Sequence, residues 1–209
     1  MIAWESMRRD GYESDKNRLF VYNFSEDEET NYSANFEQNA HGLTWSADSK
    51  KLYFISDHHA KFQIYELNLN EGKIRQVTEG RHNYRSVSMA ENVLIGSKQS
   101  MSRPTEIYSI NPENGDETQL SFINKNLMDQ LTMGKVEKRW IQTTDNKKML
   151  TWVIYPPNFD KGDKYPTLLY CQGGPQISVS QFFSYRWNFQ MMAANGYIVV
   201  APNRRGLPS

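Results

Sequence analysis

The sequence predicts a β-propeller fragment of about two and a half blades, followed by the start of an α/β domain. Two observations in the 209-residue chain predict this combination. A pair of short strands followed by a turn recurs at intervals of 45 and 43 residues in the first part. After residue 134 the pattern changes to a buried strand, a helix and a second buried strand, which is typical of a parallel sheet.

The repeat is defined by three segments that share an aromatic residue, an alternate apolar residue and a closing asparagine. These segments are 20–23, 65–68 and 108–111. Turn-forming residues follow each one, and each follows another short strand. Paired strands at this period are typical of propeller blades, whose four-stranded sheets cannot bury both faces alone. The blade around Trp45 is complete, whereas the first residues are expected to lie inside an earlier blade.

The second part begins with two strand-like runs, 136–143 and 148–155, that predict a hairpin. Residues 167–171 form a continuous apolar run, which predicts a strand buried on both faces. A helix is expected between residues 180 and 196, with Gly196 ending it and a second buried strand following at 197–201. The apolar stripe that should face the sheet consists of Phe183, Trp187, Met191 and Ala194. We therefore expect blades over 1–122, a linker over 123–134 and an α/β domain over 135–209.

Charge and hydropathy exclude several classes of protein. The chain carries 24 Lys+Arg and 24 Asp+Glu, so it has no net charge that would attract nucleic acid. Its longest apolar runs are far shorter than the roughly 20 residues of a membrane helix, so no membrane span is expected. Residues 1–134 have a net charge of −6 and residues 135–209 a net charge of +6. This division either attracts the two parts to each other or is compositional scatter.

Cysteine and histidine give no indication of a metal site or a cofactor. The single cysteine, Cys171, cannot form an intramolecular disulfide. The neighbouring histidines His58 and His59 have no further ligand at metal-binding spacing, so a structural or solvent-facing role is expected for them. We expect no cofactor and no metal.

A glycine turn follows the apolar run at 167–171. It consists of Gln172, Gly173, Gly174 and Pro175. Paired glycines directly after a buried strand allow backbone N–H groups to approach an oxygen atom, and such groups stabilise an oxyanion. Because many Gly-Gly-Pro sequences are only tight turns, the surrounding strands and helix are needed to support this interpretation.

The whole chain resembles the prolyl oligopeptidase family of serine peptidases, and is most similar to its acylaminoacyl-peptidase and bacterial dipeptidyl-peptidase 5 branch. The resemblance rests on the Gly-Gly-Pro turn, the Ala-Ala-Asn-Gly-Tyr at the helix end, the strand Ile-Val-Val-Ala-Pro, and the Asn-Arg-Arg-Gly that follows. It implies a β-propeller followed by an α/β-hydrolase domain, with an oligopeptide substrate held between them. The resemblance favours a periplasmic location, although the single cysteine is compatible with the cytoplasm as well.

The resemblance also implies roles for individual residues. The backbone N–H of Gly174 would join the oxyanion hole, helped by Gly173 and by Gln172. Many relatives have histidine at the position of Gln172, so this side chain is expected either to contact substrate or to orient the turn. Arg205 is expected to be a buried ion-pair partner or, alternatively, a contact for the substrate.

Further residues come under consideration as substrate contacts. In peptidases that bind the free amine of a substrate, acidic propeller residues pair with that amine. Glu13 or Asp15 would have that role here. Phe182, Phe183 and Tyr185 either line an apolar pocket near the turn or belong to the core.

The catalytic triad of such a peptidase is missing from the sequence. No glycine is followed two positions later by serine, so the chain has no nucleophile elbow. No histidine follows His82, and no carboxylate residue follows Asp163. We therefore expect part of a serine exopeptidase, a dipeptidyl-peptidase or acylaminoacyl-peptidase, that is inactive as this chain alone. A non-catalytic propeller-based interaction module is the alternative, and an esterase or lipase of the same fold is a third interpretation.

Overall fold

The computed structural model describes residues 1–12, 14–173 and 177–206. The described residues form fifteen strands in four sheets, together with two short helices. The first three sheets contain β1 (Ile2–Ser6), β2 (Arg18–Asn23) and β3 (Glu28–Asn31); β4 (His41–Trp45), β5 (Lys51–Asp57), β6 (Phe62–Asn68) and β7 (Lys73–Gln76); and β8 (Asn83–Ala90), β9 (Val93–Ser100), β10 (Arg103–Ile110) and β11 (Glu117–Gln119). The remainder comprises α1 (Lys125–Met128), β12 (Val136–Gln142), β13 (Lys148–Ile154), β14 (Thr167–Leu169), α2 (Phe189–Ala194) and β15 (Ile198–Pro202).

The first three sheets are antiparallel meanders in which strands that are adjacent in sequence also pair in space. The second sheet has the order β4-β5-β6-β7, which confirms the four strands predicted around Trp45. The third sheet repeats this arrangement with β8 to β11, and the first sheet has three strands. Short loops and alternating apolar residues produce this topology, because each hairpin closes with local contacts.

Two hydrophobic clusters join these sheets in series. One lies between the first and second sheets and includes Leu19, Leu52 and Phe54. The other lies between the second and third sheets and includes Ile64 and Tyr84. Each sheet thus buries a face against its neighbour, as the blade interpretation requires.

A glycine makes the close contact between the second and third sheets. Gly115 lies in the turn between β10 and β11 with a φ of +77°, a conformation that favours glycine. A Cβ atom at this position would lie 2.1 Å from the carbonyl oxygen of Val77. No other residue type fits there unless the backbone moves. The close packing of this turn against the end of the second sheet therefore depends on glycine.

The fourth sheet has a different topology, β12-β13-β15-β14. Strands β12 and β13 form the predicted hairpin, β13 pairs antiparallel to β15, and β14 pairs parallel to β15. Helix α2 lies between β14 and β15 in sequence and packs on β13 and β15. The core of this region is centred on the fully buried Trp152 and Phe189, and it includes Ala60 and Met101 from the second and third sheets.

Two predictions about this region are wrong. Residues 167–171 were expected to form a strand buried on both faces, yet all three residues of β14 are exposed. The reason is that β14 lies at the sheet edge with β15 as its one strand partner in the described parts of the chain, while α2 covers β13 and β15 instead.

The helix is also shorter than predicted. It starts at Phe189, because the side chain of Asn188 caps it by accepting a hydrogen bond from the backbone N–H of Met191. Its buried residues are Phe189, Gln190 and Ala193, whereas Trp187 and Met191 of the predicted stripe are exposed. The predicted stop at Gly196 is confirmed by its φ of +85°.

Candidate functional site

The glycine turn begins where β14 ends. The N–H of Tyr170 donates to the carbonyl of Val200 at 2.8 Å, which extends the parallel pairing by one residue. Gly173 is exposed, and a Cβ atom built on it would have open space around it. A carbonyl oxygen of a ligand therefore has room to approach this backbone. Gly174 and Pro175, the other predicted turn residues, lie outside the described residues.

The side chain of Gln172 points inward from the turn. Its Oε1 atom is buried and accepts no hydrogen bond from the described residues. An unpaired buried amide oxygen is costly, so this atom has a strong tendency to accept a hydrogen bond. No partner for this oxygen in the described parts of the chain distinguishes an orienting role of Gln172 from a contact with substrate, so both stay predictions.

The segment that follows the turn is fixed to the fourth sheet at Val179. The side chain of Asn203 accepts from the Val179 N–H at 2.7 Å and donates to the Val179 carbonyl at 3.1 Å. The indole Nε1–H of Trp152 donates to the same carbonyl at 2.8 Å. We call these three hydrogen bonds to Val179 the clamp. The backbone N–H of Asn203 in turn donates to the carbonyl of Leu150, so the clamp is continuous with the hydrogen bonds of the sheet.

The same segment is also tied to the blades. The amide of Asn83 donates to the hydroxyl of Ser180 at 2.8 Å, and its oxygen accepts from the N–H of Phe62. The side-chain oxygen of Gln181 accepts a longer hydrogen bond from the N–H of Met101 at 3.4 Å. Residues 178–181 are buried and lie at the junction between the blades and the fourth sheet.

Sequence reasoning did not find Asn203, Trp152 or Asn83 as residues of this region. The position of Asn203, directly after a predicted strand, is the one signal that was available. Strand ends carry functional side chains in parallel sheets, and Asn203 belongs to the Asn-Arg-Arg-Gly motif. Nothing in the sequence connects Asn83 with Ser180, because 97 residues separate them.

The three aromatic residues after the turn have different environments. Phe182 is partly buried and packs against Phe189, with ring centroids 5.3 Å apart. Phe183 and the exposed Tyr185 line an apolar groove of about 280 Å³, together with Met191 and residues of the α1 segment. Phe182 thus belongs to the core, and the other two belong to a surface groove.

Of the predicted charged contacts, one differs from expectation. Arg205 forms an ion pair with Asp145, but its side chain is 72% exposed, so the predicted burial is wrong. Asp15 is paired with Arg9 through hydrogen bonds of 2.5 and 3.0 Å, and its role in binding a substrate amine stays a prediction. Glu13, the other candidate for binding an amine, lies outside the described residues.

The histidine pair lies in the turn between β5 and β6. The rings of His58 and His59 are 3.8 Å apart, and His59 meets Trp140 of β12 edge-on. Burial lowers the pKa of both imidazoles, and the nearby Lys61 and Lys138 lower it further. Within 1–12, 14–173 and 177–206, no group of His, Cys, Asp and Glu side chains could hold a metal ion.

The cysteine and the helices have no special environment in the described residues. Cys171 is a free, exposed cysteine next to Gln172. None of the helices in the described parts of the chain is long and apolar enough to cross a membrane.

The amino-acid sequence of the chain is similar to those of known peptidases. It is 48% identical over 207 residues to dipeptidyl-peptidase 5 of Porphyromonas gingivalis. That alignment covers 99% of this chain and 30% of the relative, so the chain spans about a third of the length of the curated relatives it matches. No family model matches the chain.

Comparison with solved structures gives the same fold. The acylaminoacyl peptidase of Pyrococcus horikoshii matches with a TM-score of 0.82 at 23% identity, covering 99% of this chain and 31% of that one. An acylaminoacyl peptidase in complex with Z-Gly-Gly-Phe-chloromethyl ketone matches with a TM-score of 0.83 at 23% identity and the same coverage. The chain, almost entirely sheet with few helices, therefore matches the propeller-containing region of peptidases. The resemblance inferred from the sequence is confirmed.

Proposed function

We propose that this chain is part of a serine exopeptidase, a dipeptidyl-peptidase or acylaminoacyl-peptidase, that hydrolyses peptide bonds near the N-terminus of oligopeptides. One observation carries the proposal. Along 99% of its length the chain is similar to a dipeptidyl-peptidase 5, and its predicted glycine turn follows a strand that pairs in parallel. Because ligands bind at the carboxyl ends of parallel strands, this turn is where a peptide would react.

In this proposal residues 1–122 are blades of a propeller, 123–134 a linker and 135–209 the opening of an α/β-hydrolase domain. The parallel pairing of β14 with β15, with α2 between them in sequence, supports the second assignment. The backbone N–H groups of Gly173 and Gly174 contribute to the oxyanion hole, and Gln172 orients them. The open space at Gly173 supports this role, because an oxyanion has to reach the backbone without meeting a side chain.

The substrate follows from the same comparison. The acylaminoacyl peptidase of similar fold holds a peptide-derived chloromethyl ketone. An oligopeptide is accordingly the substrate we propose for the whole protein. The nucleophilic serine, its histidine and its aspartate are not supplied by this sequence, since it has no nucleophile elbow. Residues 1–209 alone are expected to be inactive.

A non-catalytic interaction module remains the second candidate, and one observation counts against it. Such a module requires a propeller that closes on itself. In the described residues, one hydrophobic cluster joins the first sheet to the second, and another joins the second sheet to the third. Neither cluster joins the third sheet to the first, so the three sheets form an open row and not a closed ring. An esterase or lipase is less well supported, because those enzymes usually cover the site with helices rather than blades.

The decisive experiment is to read the coding sequence beyond the codon for Ser209 and to express the complete product. We expect a Gly-x-Ser-x-Gly motif and a later histidine, and release of p-nitroaniline from dipeptidyl or N-acylaminoacyl p-nitroanilides. Substitution of the predicted serine by alanine is the matched control and should abolish this release. A stop codon directly after Ser209, or a complete product that cleaves neither substrate type, would overturn the proposal.

A further inference from the structure

A further cavity opens between the second and third sheets. Its volume is about 440 Å³, which falls within the roughly 300–1,000 Å³ that is typical of sites for small ligands. Its lining residues within the described parts of the chain belong to β4, β5, β6, β8 and β9, so the cavity is formed by the blades. Ile55, Phe62 and Val87 make much of this lining apolar. A cavity of this kind takes an apolar group and orients it through a few polar contacts.

Two strands carry a β-bulge at this cavity. On β8 the register shifts by one residue between Tyr84 and Ser86, so Arg85 is an extra residue with no opposite residue on β9. Strand β4 has a similar shift after His41, where Gly42 lies, and β4 packs against β8. Gly42 and Arg85 both line the cavity. Because bulges re-aim side chains and are frequent beside ligand sites, two of them at one cavity point to a binding role.

Arg85 gives the cavity a positive charge. It is exposed, and its guanidinium group makes no ion pair or hydrogen bond within residues 1–12, 14–173 and 177–206. Glu5 lies beside His41 of the lining, but its carboxylate already accepts from the Gly42 N–H at 2.7 Å and from Asn17 at 2.8 Å. None of the lining residues that the structure describes carries a carboxylate. The cavity is therefore complementary to a negatively charged group.

A carboxylate suits this arrangement best. A guanidinium group forms two parallel hydrogen bonds with a carboxylate, and this geometry is specific. A peptide has a carboxylate at its C-terminus, attached to a backbone and a side chain that apolar walls can cover. Because the proposed function hydrolyses peptides near the N-terminus, the C-terminal part of the substrate leads away from the reacting bond and can be held elsewhere.

The cavity lies close to the contact between the blades and the part after residue 134. Asn83 lines the cavity, and its amide donates to the hydroxyl of Ser180 at 2.8 Å. The N–H of Phe62, another lining residue, donates to the side-chain oxygen of Asn83. A peptide bound where the blades meet the fourth sheet can therefore reach this cavity.

We propose that Arg85 binds a carboxylate group of the peptide substrate, and that the apolar walls of this cavity hold the residue that bears it. This proposal rests on the proposed function, because it gives the substrate of that function a second point of attachment. Peptides with a free C-terminal carboxylate should accordingly be better substrates than the same peptides as C-terminal amides.

The test compares peptide acids with peptide amides in the complete protein. Tetrapeptides, pentapeptides and hexapeptides of uncharged residues are prepared in both forms, and kcat/KM is measured for the wild type, Arg85→Gln and Arg85→Lys. For at least one length the wild type should prefer the acid about tenfold, as expected for a charge-assisted hydrogen bond at a partly exposed site. Arg85→Gln should remove most of this preference. Arg85→Lys should keep part of it, because lysine retains the charge but not the paired donors.

The acid-to-amide ratio also controls for folding and for nonspecific charge effects. The ratio within one protein does not depend on the fraction that is folded, so a loss of folding cannot imitate the expected result. The matched control is Lys73→Gln, which removes an exposed positive charge opposite Asn68, at the far end of β6 from Phe62. It should leave the preference as it is in the wild type. Added salt should weaken the wild-type preference, because it screens exposed charges.

A further pair of hexapeptide amides separates the two sources of a carboxylate. One ends in aspartate and the other in asparagine. An Arg85-dependent preference for the peptide acid assigns the cavity to the C-terminus of the substrate. An Arg85-dependent preference for aspartate alone assigns it to an acidic side chain.

Calorimetry measures binding apart from hydrolysis. The complete protein with its predicted serine replaced by alanine is titrated with the same peptides, and Arg85→Gln in that background should weaken binding of the preferred peptide about tenfold. A carboxylate preference that Arg85→Gln removes and Lys73→Gln keeps supports the site. No carboxylate preference at any length, or one that Arg85→Gln leaves unchanged, overturns it. If the wild-type complete protein hydrolyses no peptide, the proposed function fails, while titration of that protein still decides whether Arg85 binds a carboxylate.

Discussion

The blades and the fourth sheet differ in how far apart along the chain their pairing partners lie. In the blades, strands that follow each other in sequence pair through short turns, so pairing is local. In the fourth sheet, β13 pairs with β15, and residues 155–197 separate the two strands. A local sequence repeat is therefore almost sufficient to determine the strand pairing of a meander. In a mixed sheet, by contrast, which strands pair and which of their residues are buried depends on segments that are distant in sequence.

The contact between these two regions does not follow their opposite charges. The ion pairs found among the described residues connect residues within 1–134 or within the part after residue 134. The contact is made instead by apolar side chains, Ala60 and Met101, and by hydrogen bonds such as Asn83 to Ser180 and the Arg81 guanidinium to the carbonyl of Val136. The charge division therefore does not hold the two regions together through direct ion pairs.

The largest expected effect concerns the core of the fourth sheet. Trp152→Ala removes a fully buried ring and the hydrogen bond to the Val179 carbonyl, so we expect the free energy of unfolding to fall by about 3–5 kcal/mol. Urea denaturation followed by circular dichroism measures this change. Trp140→Ala is the matched control, because Trp140 is 46% exposed and should cost less than about 1 kcal/mol. Equal losses in the two variants would contradict the assigned core.

The next effect depends on pH and on the blades. Burial lowers the pKa of His82, which lies in the connection between β7 and β8, to about 4, although Glu117 lies 3.5 Å from its ring. Between pH 6.5 and 4 the unfolded chain therefore binds a proton that the folded chain does not. Stability from this group is complete above pH 6.5 and is lost as the pH falls, by roughly 3 kcal/mol at most.

The variant His82→Gln tests this dependence, because glutamine does not titrate. Urea unfolding of wild type and variant at pH 7, 5.5 and 4.5 should give a steeper loss of stability in the wild type. Parallel losses in the two proteins would show that His82 is not the group responsible.

A smaller effect is expected at the ion-pair network between the second and third sheets. The buried carboxylate of Glu66 accepts two hydrogen bonds from Arg75, at 2.8 and 3.0 Å, and lies 3.2 Å from Lys51. Arg75 also donates to the carbonyl of Pro112 in the third sheet. Glu66→Ala should therefore cost about 1–3 kcal/mol in unfolding experiments.

The control for this network is an exposed ion pair in the same blade. Glu71 lies 3.4 Å from Lys73, and both side chains are exposed. Glu71→Ala should change stability by less than about 0.5 kcal/mol. A cost for Glu66→Ala as small as this would mean that the network contributes little to joining the sheets.

The sequence predicted the blades well because their determinants are local. The aromatic residue, the alternate apolar residue and the asparagine turn of each repeat are contained in about ten residues, and strands β4 to β7 follow from them. The glycine turn was also predicted from local chemistry. The clamp on Val179 was not, because its partners Trp152 and Asn203 become neighbours only when β13 pairs with β15. Apolar spacing likewise could not identify which face of the helix at 189–194 is buried.

The smallest expected effect tests the wrong prediction directly. Leu169 of β14 was expected in the core and is 64% exposed, so Leu169→Thr should change the free energy of unfolding by less than about 0.5 kcal/mol. Leu150→Thr on β13 is the matched substitution, and it should cost several times more because that side chain is only 4% exposed. If the complete protein shows similar losses for both variants, other parts of that protein cover this face of β14. The exposed edge position of β14 would then be a property of these 209 residues and not of the complete protein.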